Sequence, residues 1–285
     1  RDSILNIYQL MDEATQGGST FVKGYGITEI AGLNLRLIDT AVYMIEAYEA
    51  MTILMRILKQ DEVENTRIKA EKMKHHFLQA YWLEDEGLFA DCLASYEELE
   101  DVIEIIIQDL NLSKEQTQSL YSSIEVAKKN AKELKPWLLN RNWVIWTPFE
   151  TKLAMQRQAE MALPQVMTAD YLGPWGIYLD GVSKNHMMTI STGVLIRSLF
   201  NYGFYDQGIN LLSHLNRNFS RVSPGTWQEM NPDYGCFMQA WTNYGYEIGI
   251  VEGLWGIKVD AISSNVFVNP APSHYLEGTQ IKNVR

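Results

Sequence analysis

Two acids in this chain sit where a carboxylate can do chemistry. Glu229 lies in the stretch Pro224-Gly-Thr-Trp-Gln-Glu-Met-Asn-Pro-Asp-Tyr-Gly-Cys-Phe-Met-Gln-Ala-Trp241, a loop rich in Gly, Pro and aromatic residues. Asp39 follows Gly32-Leu-Asn-Leu-Arg-Leu-Ile38 and opens a long apolar segment. Cleaving a glycosidic bond takes one protonated acid and one ionised carboxylate on opposite sides of the sugar. Each residue also has a plainer reading. Acids are mostly exposed, which would make Glu229 a surface loop residue. The helix macrodipole favours a carboxylate at an N-terminus, which would account for Asp39. Glu29, Glu150, Asp180 and Asp233 are weaker contenders of the same type.

Aromatic residues accompany these acids. The chain holds 8 Trp and 15 Tyr. Trp143, Trp146, Trp175 and Trp227 all fall in connectors rich in Gly and Pro. Such rings either stack on sugar faces or plug the ends of a helical bundle. Other chemistries find little support. There is no Gly-x-Ser-x-Gly elbow, and neither Cys92 nor Cys236 stands in a protease context. The run Gly24-Tyr-Gly-Ile-Thr-Glu29 lacks the spacing of a phosphate loop. His75, His76, His186, His214 and His274 form no His-x-x-x-His pair, so neither a metal nor another cofactor is expected.

The elements that must position these residues are helical. Apolar residues recur three or four apart from Leu37 through Ala41, Ile45, Tyr48, Met51 and Met55 to Leu58. Further helices are expected over 3–10, 61–81, 151–163, 189–202, 206–219 and 239–254. Another runs from an N-cap at Ser113 to Lys135, where Pro136 stops it. Strand signals are few, with 176–180 one candidate. Short connectors alternate with long ones over 16–32, 84–98, 137–150, 168–188 and 220–234. That alternation fits paired helices around a ring with the long loops gathered at one end. No linker interrupts the chain, so one domain is expected over residues 1–285.

Composition sets outer limits. At 285 residues, 46% hydrophobic and 21% charged, the chain can bury a substantial core. A formal net charge of −11 argues against a nucleic-acid partner. No apolar run reaches the roughly 18 residues of a membrane span. Two cysteines exclude a disulfide framework. The chain opens Arg1-Asp-Ser-Ile-Leu without an initiator Met, and is expected to be part of a longer protein with further domains. Its location therefore stays open between periplasm, extracellular space and cytoplasm.

Four stretches resemble the six-hairpin glycosidases, above all the catalytic domain of amylo-α-1,6-glucosidase-type glycogen-debranching enzymes. They are Gly24 to Tyr43, Asn142-Trp-Val-Ile-Trp-Thr-Pro-Phe-Glu150, His186-Met-Met-Thr-Ile-Ser-Thr-Gly193, and Pro224 to Trp241. The closing Leu254-Trp-Gly-Ile-Lys-Val-Asp-Ala261 is similar to the end of many such barrels. The resemblance implies an all-α fold, an (α/α)6 toroid of which these residues need not hold the whole. It also implies an inverting mechanism with an Asp acid and a Glu base. The family's acid lies in a Trp-Met-Asp-Ala element. Leu37-Ile-Asp-Thr-Ala41 is similar, with Asp39 in the acid's place, and Glu229 matches the base in a late loop.

The expected activity is hydrolysis of an O-glycosidic bond, α-linked, in an oligosaccharide or glycan. Asp39 would protonate the leaving oxygen, with partial burial supplying the raised pKa. Glu229 would activate water. Trp143, Trp146, Trp175 and Trp227 would line subsites, while Arg36, Asp180, His186 and Asp233 would bond sugar hydroxyls. The alternatives are a non-catalytic carbohydrate-binding toroid and an α-L-rhamnosidase-like enzyme. A polysaccharide lyase would want a basic uronate site, which the acidic balance disfavours.

Overall fold

The computed structural model describes residues 2–27, 33–109, 111–125, 128, 131–182, 184–272, 274–278, 280 and 282. Glu29 lies outside them. The described residues are mostly helical, with ten α-helices. Five small antiparallel sheets pin the helix starts and loops. No described helix is long and apolar enough to cross a membrane. The chain divides into two compact units, residues 1–154 with 181–183, and residues 155–180 with 184–285.

In the first unit, α1 (Asp2–Ala14) precedes a loop that leads into β1 (Arg36–Leu37) and α2 (Ile38–Ile57). The residues α2 buries include Ile38, Ala41, Val42, Ile45, Tyr48, Thr52 and Met55, the stripe expected of one helical face. It packs on α3 (Val63–Ala80), which is joined to it by a short turn. A hairpin of β2 (Trp82–Leu83) and β3 (Leu88–Phe89) then leads to β4 (Cys92–Ala94). β4 is the middle strand of a three-stranded sheet. It pairs Leu93 with Arg36 of β1, and Leu93 also with Pro136 of β5 (Lys135–Trp137).

Two elements here differ from the sequence expectation. Residues 96–98, expected within a long connector, begin α4 (Tyr96–Asp109). Its start is fixed by a capping box: Ser95 N–H donates to Glu98 Oε2 at 3.0 Å, and Glu98 N–H to Ser95 Oγ at 3.2 Å. Leu99, Val102, Ile103 and Ile106 then fall on one face and close a core with Leu35, Leu37 and Cys92. The helix expected from Ser113 to Lys135 begins on schedule as α5 (Lys114–Glu125), with Ser113 and Gln116 exchanging cap bonds. Its far end is not helical, because Lys135, Pro136 and Trp137 pair with β4 instead. A 3-10 turn, Trp143–Trp146, then leads into α6 (Thr147–Glu150).

The second unit is centred on α8 (Thr189–Asn201), of which nearly every residue is buried. Before it come α7 (Gln156–Ala162), the hairpin of β6 (Leu172–Gly173) and β7 (Gly176–Ile177), and β8 (Met187–Met188). α9 (Tyr205–Asn216) follows α8 through a short turn and packs on it. β9 (Met230–Asn231) pairs with β8. α10 (Asn243–Ile248) crosses α8 at a point where only glycine fits. A Cβ on Gly193 would lie 2.1 Å from the Gly245 Cα, and a Cβ on Gly245 would lie 2.2 Å from the Gly193 Cα. A π-helical turn, Gly249–Leu254, and the exposed hairpin of β10 (Ile257–Asp260) and β11 (Asn265–Val268) complete the unit.

Candidate functional site

Asp39 stands in the first turn of α2, and its position is set by the strand before it. Leu37 is extended and bonded in β1, and Ile38 N–H donates to the Asp91 carbonyl at 3.0 Å. The helix therefore starts with Asp39 turned inward, 1% exposed. The Ile27 N–H donates to Oδ2 at 2.5 Å. Oδ1 is buried and has no hydrogen-bond partner among the described residues. Gly26 makes the approach possible. Its φ is +58°, and a Cβ there would sit 2.6 Å from Oδ2 and 2.7 Å from Oδ1. Burial pushes the Asp39 carboxyl above its ordinary value of 3.8, against the pull of the backbone donors led by Ile27.

Glu229 is held by a similar clasp in the second unit. It immediately precedes β9. Its N–H donates to the Cys236 carbonyl at 2.9 Å, and its carbonyl accepts from Thr189 N–H, at the start of α8, at 2.8 Å. The side chain is 8% exposed. Oε2 accepts from the Cys236 N–H at 2.7 Å. Gly235 has a φ of +74°, and a Cβ there would lie 2.5 Å from Oε2. On either side, the buried Gln228 Oε1 and Asn231 Nδ2 lack partners among the described residues. Such atoms cost roughly 1–3 kcal/mol each unless water or a ligand meets them.

The Glu229 loop also gathers several of the residues singled out in the sequence. Asp233 makes a two-pronged ion pair with Arg221, at 2.6 and 3.2 Å. The Arg221 guanidinium lies over the Trp175 ring, 4.9 Å from its centroid. Tyr234 rests on His186 with ring centroids 4.8 Å apart. Trp175, His186, Asp233 and Glu229 thus belong to one linked set in the second unit, whose connecting members, Arg221 and Tyr234, were not among the expected residues. Asp180 is buried in the same unit.

The other expected residues are spent on packing. Trp143 and Trp146 are 2% and 0% exposed. Trp227 is buried, donates its indole N–H to the Leu215 carbonyl at 2.9 Å, and lies between the rings of Phe219 and Tyr246. All three rings are thus packed inside the protein. Arg36 does not reach a sugar hydroxyl with the guanidinium arm that Glu98 holds, since Nη1 donates to both Glu98 oxygens at 3.0 Å. Lys23 adds a second cation to Glu98 at 2.9 Å.

Asp91 is a positioning residue that sequence reasoning missed. Its carboxylate is fully enclosed and accepts from the backbone N–H groups of Asn140, Arg141 and Asn142 at 3.0, 3.2 and 3.0 Å. Burial raises it to about 6 against those donors. Its own carbonyl holds Ile38, so one residue fixes both the loop before Trp143 and the start of the helix bearing Asp39. Glu150, a weaker contender, is buried and accepts from the Tyr43 hydroxyl at 2.9 Å, one turn along α2 from Asp39. Cys92 is buried, Cys236 is exposed, and both are free thiols. Among the described residues no group of three His, Cys, Asp or Glu is placed to hold a metal ion. Comparison with protein-family models and with curated proteins gives no match to this chain.

Proposed function

We propose that this chain is the catalytic part of an inverting glycoside hydrolase of the six-hairpin type, an (α/α)6 toroid acting on an α-linked oligosaccharide or glycan. Asp39 is the acid and Glu229 the base. The observation that carries the reading is the Asp39 carboxyl. It is enclosed, accepts the Ile27 N–H on Oδ2, keeps Oδ1 without a hydrogen-bond partner among the described residues, and burial raises its pKa. A leaving glycosidic oxygen needs a proton donor, and burial shifts the Asp39 carboxyl in that direction. Support for the base comes from the clasp on Glu229 and the linked Trp175, Arg221, Asp233, Tyr234 and His186 beside it. The paired packing of α2 on α3 and α8 on α9 suits helical hairpins.

The test is a screen of aryl glycosides and α-glucans with the 285-residue chain, reading product anomers by NMR. Release of sugar with inverted configuration is expected, lost in Asp39→Asn and Glu229→Gln. Saturable sugar binding without turnover would favour a non-catalytic binding domain. A retained configuration would contradict the assignment of Glu229 as base.

A further inference from the structure

A cavity in the first unit has Arg36 in its wall and neither Asp39 nor Glu229. Its volume is about 300 Å³, at the small end of the range for ligand pockets, and Phe21, Arg36, His76, Leu93, Leu134 and Pro136 are among its walls. One wall is aromatic. Phe21 pairs with His76 at 4.8 Å and meets Tyr81 and Phe77 edge-on at 5.2 and 6.4 Å. Another wall is aliphatic, from Leu93, Leu134 and Pro136. No acidic side chain lines it, although the whole chain carries 35 acids against 24 Lys and Arg.

The charge at the cavity is that of Arg36. Glu98 occupies its Nη1 alone, and Lys23 also faces Glu98, so two cations share one carboxylate. The Arg36 Nε is buried without an acceptor among the described residues. A guanidinium beside aromatic and aliphatic walls selects a carboxylate on an apolar body, and aromatic walls suit a flat one. A phosphate is disfavoured by the apolar walls, which would strip its hydration without return.

We propose that this cavity binds a small monocarboxylate with a flat apolar body, the carboxylate on Arg36 and the body between the Phe21–His76 pair and Leu134. The site is independent of the glycosidase reading and stands or falls separately from it. The probe is benzoate, titrated calorimetrically into the 285-residue chain at pH 7, with benzamide and inorganic phosphate as controls. Saturable one-to-one benzoate binding is expected, with benzamide and phosphate each at least tenfold weaker. Leu134 is 45% exposed, so Leu134→Trp should fill the cavity without disturbing the fold, and should abolish binding at an unchanged melting temperature. Arg36→Lys keeps the charge beside Glu98 but loses the planar donors, and should weaken benzoate at least fivefold. The proposal is overturned if benzoate does not saturate, if benzamide or phosphate binds as well, or if either variant binds like the parent.

Discussion

At Asp39, the stretch Tyr25-Gly26-Ile27 lays a backbone N–H against one carboxylate oxygen; at Glu229, the stretch Tyr234-Gly235-Cys236 does the same. In both the glycine is left-handed, comes too close to the carboxylate for any Cβ, and follows a tyrosine more than half exposed. The settings differ. Asp39 hangs from a helix start with one oxygen unpartnered among the described residues and Leu37 packed beside Gly26. Glu229 precedes a short strand, with Thr226, Gln228 and Asn231 as buried polar neighbours. One clasp therefore serves two purposes. At Asp39 desolvation dominates and raises the carboxyl; at Glu229 the clasp fixes where the carboxylate points.

The largest effect that would sharpen this contrast is loss of the base. Glu229→Ala should lower turnover by about 10²–10⁴ on every substrate, the usual range for a general acid or base. Unaltered kinetics in that variant would remove Glu229 from the chemistry. Next come the glycines. Gly26→Ala and Gly235→Ala each force an L-residue into a left-handed conformation, costing roughly 1–2 kcal/mol, and add an overlap with the carboxylate. Urea unfolding should show a loss of at least about 2 kcal/mol for each, within the usual span of single substitutions. A wild-type midpoint for either would mean that its clasp is loose.

The pH dependence of stability separates Asp39 from Glu98 by sign. Asp39 is raised above 3.8, so the folded state holds its proton more tightly than the unfolded chain. Its contribution is fully present below that value and is lost as pH rises through the folded pKa. Relative to Asp39→Asn, the parent should lose stability as pH climbs above 3.8. Glu98 runs the other way. Burial opposes its ionisation but is outweighed by Lys23, the Ser95 N–H and Arg36, which hold it at about 2 against an ordinary 4.5. That contribution is present above 4.5 and lost as pH falls through about 2. Glu98→Gln should therefore cost stability at pH 6 and almost none near pH 2, as thermal melts across pH would show. The smallest effects belong to the tyrosines. Tyr25→Ala and Tyr234→Ala should each change stability by less than about 0.5 kcal/mol, as surface substitutions do. Only Tyr234→Ala, which uncovers His186, should raise KM.

Much of this was legible in the sequence where the cause is local. The spacing of Leu37, Ala41, Ile45, Tyr48, Met51, Met55 and Leu58 predicts α2, and its polar first-turn residue stands out as Asp39. Ser113 is a helix start that needs nothing beyond Gln116. The failures are long-range. The run Val102-Ile-Glu-Ile-Ile-Ile107 is β-branched and reads poorly as helix, yet the Ser95–Glu98 box and the packing of Leu99, Val102, Ile103 and Ile106 decide for α4. Pro136 stops a helix on paper, but pairing with β4 had already turned the chain into a strand. Trp143, Trp146 and Trp227 looked like loop aromatics because sequence does not show that their loops are folded inward. The clasps join residues 12 and 7 positions apart, and their one trace in the sequence is the repeated Tyr-Gly pair.

The most direct test of the acid and base assignment uses the leaving group. A dinitrophenyl glycoside departs without protonation, whereas an alkyl glycoside needs its acid. With a sugar that the parent chain cleaves, kcat/KM is measured on both leaving groups for Asp39→Ala and Glu229→Ala. Asp39→Ala should lose about 10²–10⁴ on the alkyl glycoside and less than about tenfold on the dinitrophenyl one, while Glu229→Ala loses on both. Equal losses on the two leaving groups for Asp39→Ala would contradict its role as the acid.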